Sequence, residues 1–192
     1  MLDRREFVAR LLRDRGELLV VAGLGTPTFD VTAYGDDPLN FYIWSGMGCT
    51  AMVGLGLALA RPDRRVAVIT GDGDMLMGLG SLATVGVKQP KNLAIVVLDN
   101  GHYAATGMQA SHTSSGIDLA GTAKSCCFQQ VVAVSSIDAA DDVRKLLHTG
   151  QGPIFVHARV KADEQPRVIP SRDGHAIKYR FLEASKALGV AS

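Results

Sequence analysis

Two polar side chains, Asp72 and Asn100, each follow a short apolar stretch of the chain and could share one metal ion. The stretches Val66 to Thr70 and Leu93 to Leu98 are rich in β-branched and aliphatic residues, which predicts buried strands of a parallel sheet. The segment between them, Met75 to Val87, is predicted to be a crossover helix, so both strands end at the same edge of the sheet. Mg²⁺ prefers oxygen ligands and takes some from protein and others from phosphates and water. The pattern therefore predicts a magnesium site that faces a diphosphate.

The glycines on either side of Asp72 fit this interpretation. Gly71 and Gly73 let the backbone approach phosphate groups closely, and the amides that open the following helix offer an anion site. Gly-Asp-Gly alone is also a common turn. The interpretation therefore depends on Asn100 at the end of the second predicted strand.

Three segments around these residues resemble the motif of the thiamine diphosphate-dependent enzymes that decarboxylate 2-oxo acids. They are Gly71-Asp72-Gly73-Asp74, Leu79 to Thr84, and Leu98-Asp99-Asn100-Gly101-His102-Tyr103. The resemblance implies that the side chains of Asp72 and Asn100 and the main-chain carbonyl of His102 bind Mg²⁺. It also implies cofactor contacts by Gly71, Gly73, Asp74 and Tyr103. Family members usually have Asn-Asn where this chain has Asp99-Asn100, but the second position is the ligand, so the departure is mild.

Two further segments resemble parts of the same family's cofactor site. Ser45-Gly46-Met47-Gly48 is similar to an element in which a bulky apolar side chain wedges under the thiazolium ring. The resemblance implies that Met47 is this wedge, that Gly46 contacts the cofactor, and that the Ser45 carbonyl accepts a hydrogen bond from the aminopyrimidine. The alternative is a methionine in an ordinary glycine-rich turn. Gly25 and Thr26, which follow a predicted strand, resemble the first diphosphate loop.

The C-terminal segment suggests a narrower group within the family. The residues between Arg167 and Phe181 resemble the end of the small β subunits of sulfopyruvate decarboxylases and of phosphonopyruvate decarboxylases. This resemblance implies a lyase that converts a 2-oxo acid into an aldehyde and CO₂. Arg172 and Lys178 are candidates for binding the anionic group of such a substrate. The alternative is that both are ordinary surface charges.

The loop from Gly101 to Gly116 directly follows the predicted metal ligand and is expected to face the substrate. It is polar and contains glycines, which is typical of a closing loop. His102 and His112 are its candidate substrate contacts, and His102 is also a candidate catalytic residue together with Met47. The alternative is a solvated surface loop.

Helical and apolar strand-like segments alternate along the chain, which predicts a three-layer α/β/α fold with a mostly parallel sheet. A single domain is expected over residues 1–192, with a tail segment from about 162 to 192. The predicted helices are Asp3 to Arg15, Gly48 to Ala60, Met75 to Val87, Asp118 to Cys126, Ala139 to Leu147 and Ala176 to Ala187. The predicted strands are Leu18 to Ala22, a short one near Phe41, Val66 to Thr70, Leu93 to Asn100, Gln130 to Val134 and Pro153 to Arg159.

The 192 residues suit one domain, whereas single-chain members of the family are roughly three such domains. The chain carries the diphosphate-binding type of domain, and no glutamate in it resembles the one that activates the cofactor's pyrimidine ring. The resemblance therefore implies a partner subunit with a pyrimidine-binding domain that supplies the catalytic glutamate. We expect a hetero-oligomer with paired copies of each subunit, and a homodimer when the chain is made alone.

Composition argues against several other classes of protein. The net charge is +1, with 20 basic and 19 acidic residues. The chain therefore lacks the excess of positive charge that attracts nucleic acid. The small apolar stretch Ala51 to Ala60 is far shorter than the roughly 20 residues that span a bilayer. The N-terminal segment lacks the apolar core of a signal peptide. The three cysteines have no spacing typical of a disulfide framework, which favours the cytoplasm.

Two alternative functions remain open on the sequence. One is the β subunit of a 2-oxo acid:ferredoxin oxidoreductase, which has a similar Gly-Asp-Gly-Asp segment. Such subunits usually supply cysteines for an iron–sulfur cluster, and the adjacent Cys126 and Cys127 lack the spacing. The other is a non-catalytic module that binds the cofactor.

Overall fold

A six-stranded sheet forms the middle layer of the protein, whose structure is a computed structural model that describes residues 1–44 and 46–189. The strands are β1 (Leu19–Ala22), β2 (Asn40–Tyr42), β3 (Val66–Gly71), β4 (Leu93–Asp99), β5 (His102–Tyr103), β6 (Gln109–Ala110), β7 (Gln130–Val134) and β8 (Ile154–Arg159). The large sheet has the order β2-β1-β3-β4-β8-β7, and every pairing in it is parallel. The short strands β5 and β6 form a separate antiparallel hairpin.

Helices cover both faces of this sheet. They are α1 (Arg4–Leu12), α2 (Thr26–Tyr34), α3 (Thr50–Ala60), α4 (Asp72–Met77), α5 (Ser81–Lys88), α6 (Leu119–Ser125), α7 (Ala140–Thr149) and α8 (Gly174–Ala187). Side chains of a strand alternate between faces, and the buried core accordingly divides into two clusters. One cluster joins α1, α2 and α7 to one face, and the other joins α3, α5 and α6 to the opposite face. The predicted three-layer α/β/α fold with a mostly parallel sheet is therefore confirmed.

The central strands form where the sequence has unbroken apolar runs. All seven residues of β4 are buried, as are the first five of the six residues in β3. When helices cover both faces of a sheet, every side chain of a central strand is buried. Such strands therefore have continuous apolar sequences and not an alternating pattern. Because Gly71 pairs with Leu98 in parallel register, β3 and β4 end side by side. Asp72 and Asn100 therefore leave the sheet at the same edge.

The structure differs from the sequence-based prediction at α2, where no helix was predicted. Gly25, with φ of 87°, precedes the helix, and Pro27 lies in its first turn, where its missing N–H costs nothing. Several residues on the buried face of this helix are polar, so the sequence shows no apolar pattern that would predict the helix. Thr28 and Thr32 are buried because their hydroxyls donate to the Gly23 and Thr28 carbonyls at 2.8 Å in each case.

The predicted helix Met75 to Val87 is instead two helices, α4 and α5, separated by a turn from Gly78 to Gly80. The turn is required by a close approach of two backbones, since a Cβ at Gly78 would collide with the carbonyl of Gly48. The predicted helix Asp3 to Arg15 is shorter than expected and ends at Leu12.

The tail from Lys161 leads to α8 along an irregular path across the surface. The ring of Phe181 in α8 packs edge-on against Phe41, with 5.6 Å between ring centroids. Arg180 forms an ion pair with Asp36 at 2.6 Å. These contacts hold α8 against the β2 edge of the sheet. Among the described residues, no helix is both long and apolar enough to cross a membrane.

Candidate functional site

A cleft of about 580 Å³, including its open mouth, lies at the carboxyl ends of β1, β3 and β4. Parallel α/β sheets bind ligands at this edge. Ten of the residues predicted from the sequence line the cleft, namely Gly25, Thr26, Met47, Gly71, Asp72, Gly73, Asp74, Asn100, His102 and Tyr103. Gly46 lies beside them in the loop before Met47, whereas the predicted Ser45 contact is outside the described residues.

Asp72 is the first residue of α4 and is only 2% exposed. Its Oδ2 atom accepts a hydrogen bond from the Ser111 hydroxyl at 2.5 Å and lies 3.3 Å from the Thr113 hydroxyl. Burial raises the pKa of Asp72, and the charge of nearby Asp99 acts in the same direction, against the hydrogen bond from Ser111. A buried carboxylate in this setting is stabilised by a bound cation.

Asn100 follows β4 and its side chain is held by the next turn of the chain. The Asn100 Oδ1 atom accepts a hydrogen bond from the His102 amide at 2.9 Å. The His102 Nδ1 atom lies 2.8 Å from the Asn100 carbonyl oxygen. The imidazole of His102 is therefore turned back towards its own chain. An amide oxygen has two lone pairs, so Asn100 Oδ1 retains one for a further partner.

The hairpin of β5 and β6 sets the direction of the His102 carbonyl. The flanking carbonyls of Gly101 and Tyr103 accept hydrogen bonds from the amides of Ser111 and Met108, at 2.8 and 3.1 Å. In an antiparallel pair, successive residues direct their backbone groups to opposite sides. The His102 carbonyl between them consequently points away from β6, on the side of its own amide.

Asp74 connects the α4 segment to the loop that carries Met47. Its carboxylate accepts hydrogen bonds from the Gly48 amide at 2.5 Å and from the buried Thr70 hydroxyl. The side chain is only 4% exposed, and these two donors occupy both of its oxygens. Met47 itself is 39% exposed at the mouth of the cleft. Asp74 thus fixes the position of Met47 through the backbone of Gly48.

The amino end of α2 also opens into the cleft. Gly25 at this end has no side chain to bond the free amides of the first turn, and Thr26 and Pro27 line the cleft with it. The unpaired amides and the helix dipole together favour an anion at such an end. On the other side of the cleft, Gly73 leaves room for the ring of Tyr103, which a Cβ at this position would strike.

Asp99 lies beneath the cleft as the hub of a buried hydrogen-bond network. Its Oδ1 atom accepts from the Gly101 amide at 2.9 Å and the Thr113 hydroxyl at 2.8 Å. Its Oδ2 atom lies 2.6 Å from His157 Nε2 and 3.5 Å from Arg159 Nη1, both on β8. Burial acts to raise the pKa of Asp99, but the hydrogen bonds from His157 and Thr113 and the charge of Arg159 outweigh it and lower that pKa.

The donor set at this edge suits Mg²⁺ and a diphosphate. It offers one carboxylate, one amide oxygen and one main-chain carbonyl beside the amino end of a helix, all of them hard or anion-binding groups. Within residues 1–44 and 46–189, no three His, Cys, Asp or Glu side chains converge as a metal site.

The remaining predicted contacts lie elsewhere. His112 lines a neighbouring apolar cleft with Tyr103 and Ile117. Arg172 lies over the indole ring of Trp44, with 5.8 Å between its guanidinium carbon and the ring centroid. Lys178 is exposed on α8. Arg172 therefore contacts Trp44, which precedes the loop that carries Met47, whereas Lys178 faces solvent.

Sequence reasoning missed the residues that hold the predicted ligands. Ser111 and Thr113 belong to the polar loop but carry no signal that pairs them with Asp72. His157 does leave a trace, since it is the one polar residue among the five buried residues of β8. Asp99 was visible as a departure from the family motif. Only the register of β4 with β8 brings Asp99 and His157 together.

Comparison with known proteins gives matches over most of the chain. Residues 23–158 match the family model of the thiamine pyrophosphate enzyme C-terminal TPP binding domain. The chain is 37% identical over 184 residues to the sulfopyruvate decarboxylase subunit beta of Methanothermobacter thermautotrophicus, covering 95% of each chain. It is 38% identical over 190 residues to the phosphonopyruvate decarboxylase of Streptomyces viridochromogenes, covering 96% of this chain and 46% of that protein.

A solved structure shares the same fold. The 2-oxoglutarate:ferredoxin oxidoreductase of Magnetococcus marinus superposes with a TM-score of 0.67 at 18% identity, covering 90% of this chain and 66% of that chain. At this identity the likeness concerns the fold alone. The family model, in contrast, spans the cleft residues from Gly25 to Tyr103. The chain therefore belongs to the thiamine pyrophosphate enzyme family, in which it corresponds to the C-terminal TPP binding domain.

Proposed function

We propose that this chain is the subunit that binds thiamine diphosphate and Mg²⁺ in a decarboxylase acting on a 2-oxo acid with a sulfonate or phosphonate group. The products are an aldehyde and CO₂. The observation that carries the proposal is the shared edge where Asp72, Asn100 and the amino end of α2 line one cleft. Similarity to a sulfopyruvate decarboxylase β subunit along almost the full length of both chains supports the substrate class.

Each part of the cleft has a proposed role. Asp72, Asn100 Oδ1 and the His102 carbonyl would hold Mg²⁺, which would supply positive charge for the diphosphate. Gly25 and Thr26 supply backbone donors to that diphosphate at the start of α2. Gly71, Gly73 and Tyr103 shape the wall against which it lies. These groups would together bind the diphosphate end of the cofactor.

Met47 positions the other end of the cofactor. When bound, thiamine diphosphate supplies a nucleophilic carbon and an electron sink for the loss of CO₂ from a 2-oxo acid. Met47, with Gly46 before it, supports the thiazolium ring, and Asp74 keeps this loop in place through Gly48. His102 and Arg172 remain candidate contacts for the carboxylate and for the sulfonate or phosphonate of the substrate.

A partner subunit completes this site in our proposal. The relative from Methanothermobacter is named subunit beta, which implies a second kind of subunit in that protein. The Streptomyces relative is a single chain of which this chain spans 46%. We propose that the partner has the pyrimidine-binding domain and supplies the catalytic glutamate. The exposed side of Met47 would then face that partner in a hetero-oligomer with paired copies.

The decarboxylase is favoured over the ferredoxin oxidoreductase alternative. The decarboxylase relative is 37% identical over nearly the whole chain, whereas the oxidoreductase structure is 18% identical. Cys126 and Cys127 lie at the end of α6, away from the residues that line the cleft. The cytoplasmic location stays a prediction that rests on the three unpaired cysteines.

The direct test is an assay of the chain co-expressed with a pyrimidine-domain subunit, with thiamine diphosphate and Mg²⁺ added. Sulfopyruvate, phosphonopyruvate and pyruvate are compared as substrates, and CO₂ and aldehyde are measured together. We expect turnover of at least one of the two anionic 2-oxo acids, with pyruvate slower by a factor of about 10 or more because it lacks the group that an arginine would bind. Asp72→Ala should abolish turnover, while Asp142→Ala on the exposed face of α7 should not change it. Turnover of pyruvate alone, or CO₂ release without aldehyde, would exclude the proposed substrate class or reaction.

A further inference from the structure

The buried pair of Asp99 and His157 lies behind the cleft, and neither residue lines it. Asp99 is 1% exposed and His157 is 5% exposed, so the pair is removed from solvent. Burying a carboxylate is costly unless donors satisfy it. Four donors surround this one, two from the loop after Asn100 and two from β8.

Two of the donors belong to the loop that follows the proposed metal ligand Asn100. The amide of Gly101, at the start of this loop, donates to Asp99 Oδ1, and so does the hydroxyl of Thr113 near its end. Gly101 has φ of 71°, a conformation that glycine adopts readily. Asp99 therefore closes the loop by holding both ends of it on one oxygen atom.

The same loop reaches the proposed metal ligand Asp72. The Ser111 hydroxyl donates to Asp72 Oδ2 at 2.5 Å, and the Ser111 and Thr113 hydroxyl oxygens are 2.9 Å apart. Thr113 also lies 3.3 Å from Asp72 Oδ2. Each hydroxyl has one proton, which Ser111 directs to Asp72 and Thr113 to Asp99. Thr113, which packs against Ser111 and lies within reach of both carboxylates, therefore links Asp99 to Asp72.

His157 fixes the orientation of the Asp99 carboxylate relative to the Thr113 and Ser111 hydroxyls. An ionised carboxylate only accepts hydrogen bonds, so His157 Nε2 is the donor in its 2.6 Å contact with Asp99 Oδ2. The other group near Oδ2 is Arg159, whose side chain is 47% exposed and lies 3.5 Å away. His157 is consequently the buried contact that fixes Oδ2, and with it the direction in which Oδ1 points towards the loop.

We propose that His157 is a positioning residue for the metal site, which acts through Asp99 and the Thr113 and Ser111 hydroxyls to orient the Asp72 carboxylate. This inference rests on the proposed Mg²⁺ site at Asp72 and Asn100. It adds a support on β8, whereas the motif segments that resemble the family all lie between Gly71 and Tyr103. Groups that orient metal ligands typically change metal affinity about 10- to 100-fold when they are removed.

The experiment measures the Mg²⁺ concentration that gives half-maximal binding of thiamine diphosphate, by calorimetry on the complex with the partner subunit. His157→Leu should raise this concentration about 10- to 100-fold, because Asp99 loses its buried donor. His157→Gln, which retains a donor near the same place, should recover most of the wild-type response. His148→Leu on α7 is the control for a histidine that lies outside the site, and it should follow the wild type.

A second variant keeps the test decisive if His157→Leu does not fold. Thr113→Val has nearly the same shape but removes the hydroxyl between Asp99 and Asp72, and should raise the Mg²⁺ requirement about 10-fold or more. Where His157→Leu does fold, its effect and that of Thr113→Val should not add in the double variant, since both break one series of contacts. Cofactor binding at saturating Mg²⁺ should approach that of the wild type in each folded variant.

The outcomes separate this inference from the proposed function. If wild type and Asp72→Ala respond to Mg²⁺ alike, the proposed metal site itself is wrong. If Asp72→Ala loses the response while Thr113→Val and every folded His157 variant keep the wild-type requirement, only the positioning role is wrong. An equal shift in His148→Leu would also overturn it, because the effect would then reflect general destabilisation.

Discussion

At the scale of single residues, the sequence predicted which groups approach the cleft but not what holds them. Asp72 and Asn100 could be placed together because each follows a strand that is recognisable from its apolar residues. Their hydrogen-bond partners, Ser111 and Thr113, could not be assigned, since a hydroxyl in a polar loop has many possible partners. The same is true of Asp74, which the family resemblance indicated as a cofactor contact and whose carboxylate is occupied by Gly48 and Thr70.

The role of Asp74 gives a prediction about stability. Asp74→Ala leaves the Gly48 amide and the buried Thr70 hydroxyl without their acceptor, which should lower the free energy of unfolding by about 2–4 kcal/mol. The asparagine side chain of Asp74→Asn can accept a hydrogen bond from Gly48 and donate one to Thr70. The loss in the free energy of unfolding should therefore be less than about half as large. Urea unfolding of both variants gives the comparison. Equal losses in the two variants would contradict the hydrogen-bonding role assigned to Asp74.

At the scale of elements, strands were easier to predict than the helices next to the cleft. The buried strands β3 and β4 are unbroken apolar runs, so their type and their approximate bounds follow from composition. The helix α2 was missed because its buried face contains Thr28, Asp30 and Thr32. The two hydroxyls bond to carbonyls of the preceding turn, and Asp30 pairs with Arg4 of α1, which the local sequence does not reveal. The break between α4 and α5 was missed because it depends on the approach of Gly48, which local sequence does not reveal.

Two glycines in α3 allow a matched test of this helix against the sheet. A Cβ at Gly54 would collide with the buried side chain of Val68 on β3, whereas a Cβ at Gly56 would meet no atom within 4 Å. Gly54→Ala should therefore destabilise the fold by about 1–3 kcal/mol, as overpacked cores do. Gly56→Ala should stabilise it by about 0.5–1 kcal/mol, because alanine is the better helix former.

Thermal or urea unfolding of the isolated chain measures both effects. The opposite signs are the important result, since the two substitutions are chemically identical and lie two residues apart in the same helix. Stabilisation by Gly54→Ala would mean that α3 does not pack closely against β3.

At the scale of the whole molecule, the sheet places the cofactor site at one edge and leaves part of it open. The parallel fold followed from the alternation of segments, and the family resemblance added the expectation of a partner subunit. The ion pairs that join distant segments were not predictable, because they depend on the final arrangement of the helices. Asp30 of α2 is one such group, fully buried between Arg4 and Arg5 of α1.

Asp30 should make the stability of the molecule depend on pH. Burial raises its pKa to about 6, from 3.8, despite the neighbouring arginines. Between these two pH values the folded chain retains a proton that the unfolded chain has released, so this contribution to stability is lost as the pH rises through about 6. Asp30→Asn resembles the protonated form at every pH. The free energy of unfolding of the variant should therefore rise relative to that of wild type between pH 4 and 7, by at most roughly 3 kcal/mol.

Urea unfolding of wild type and variant across this pH range tests the prediction. Asp36→Asn is the control, because hydrogen bonds from Arg180 and Tyr42 outweigh burial and lower the pKa of Asp36. The contribution of Asp36 is nearly complete once the pH is well above 3.8, so its difference from wild type should be almost flat between pH 4.5 and pH 7. A difference for Asp30→Asn that stays flat, or that falls with rising pH, would contradict the assigned shift.

The central claim is that this chain grips thiamine diphosphate through a metal ion held by Asp72. Calorimetric titration of thiamine diphosphate with and without Mg²⁺, into the chain alone and into its complex with a pyrimidine-domain subunit, tests it most directly. We predict binding that requires Mg²⁺, tightens in the complex, and is lost in Asp72→Ala but not in Asp142→Ala. Binding that is independent of Mg²⁺ or unaffected by Asp72→Ala, or no binding even in the complex, would contradict the account.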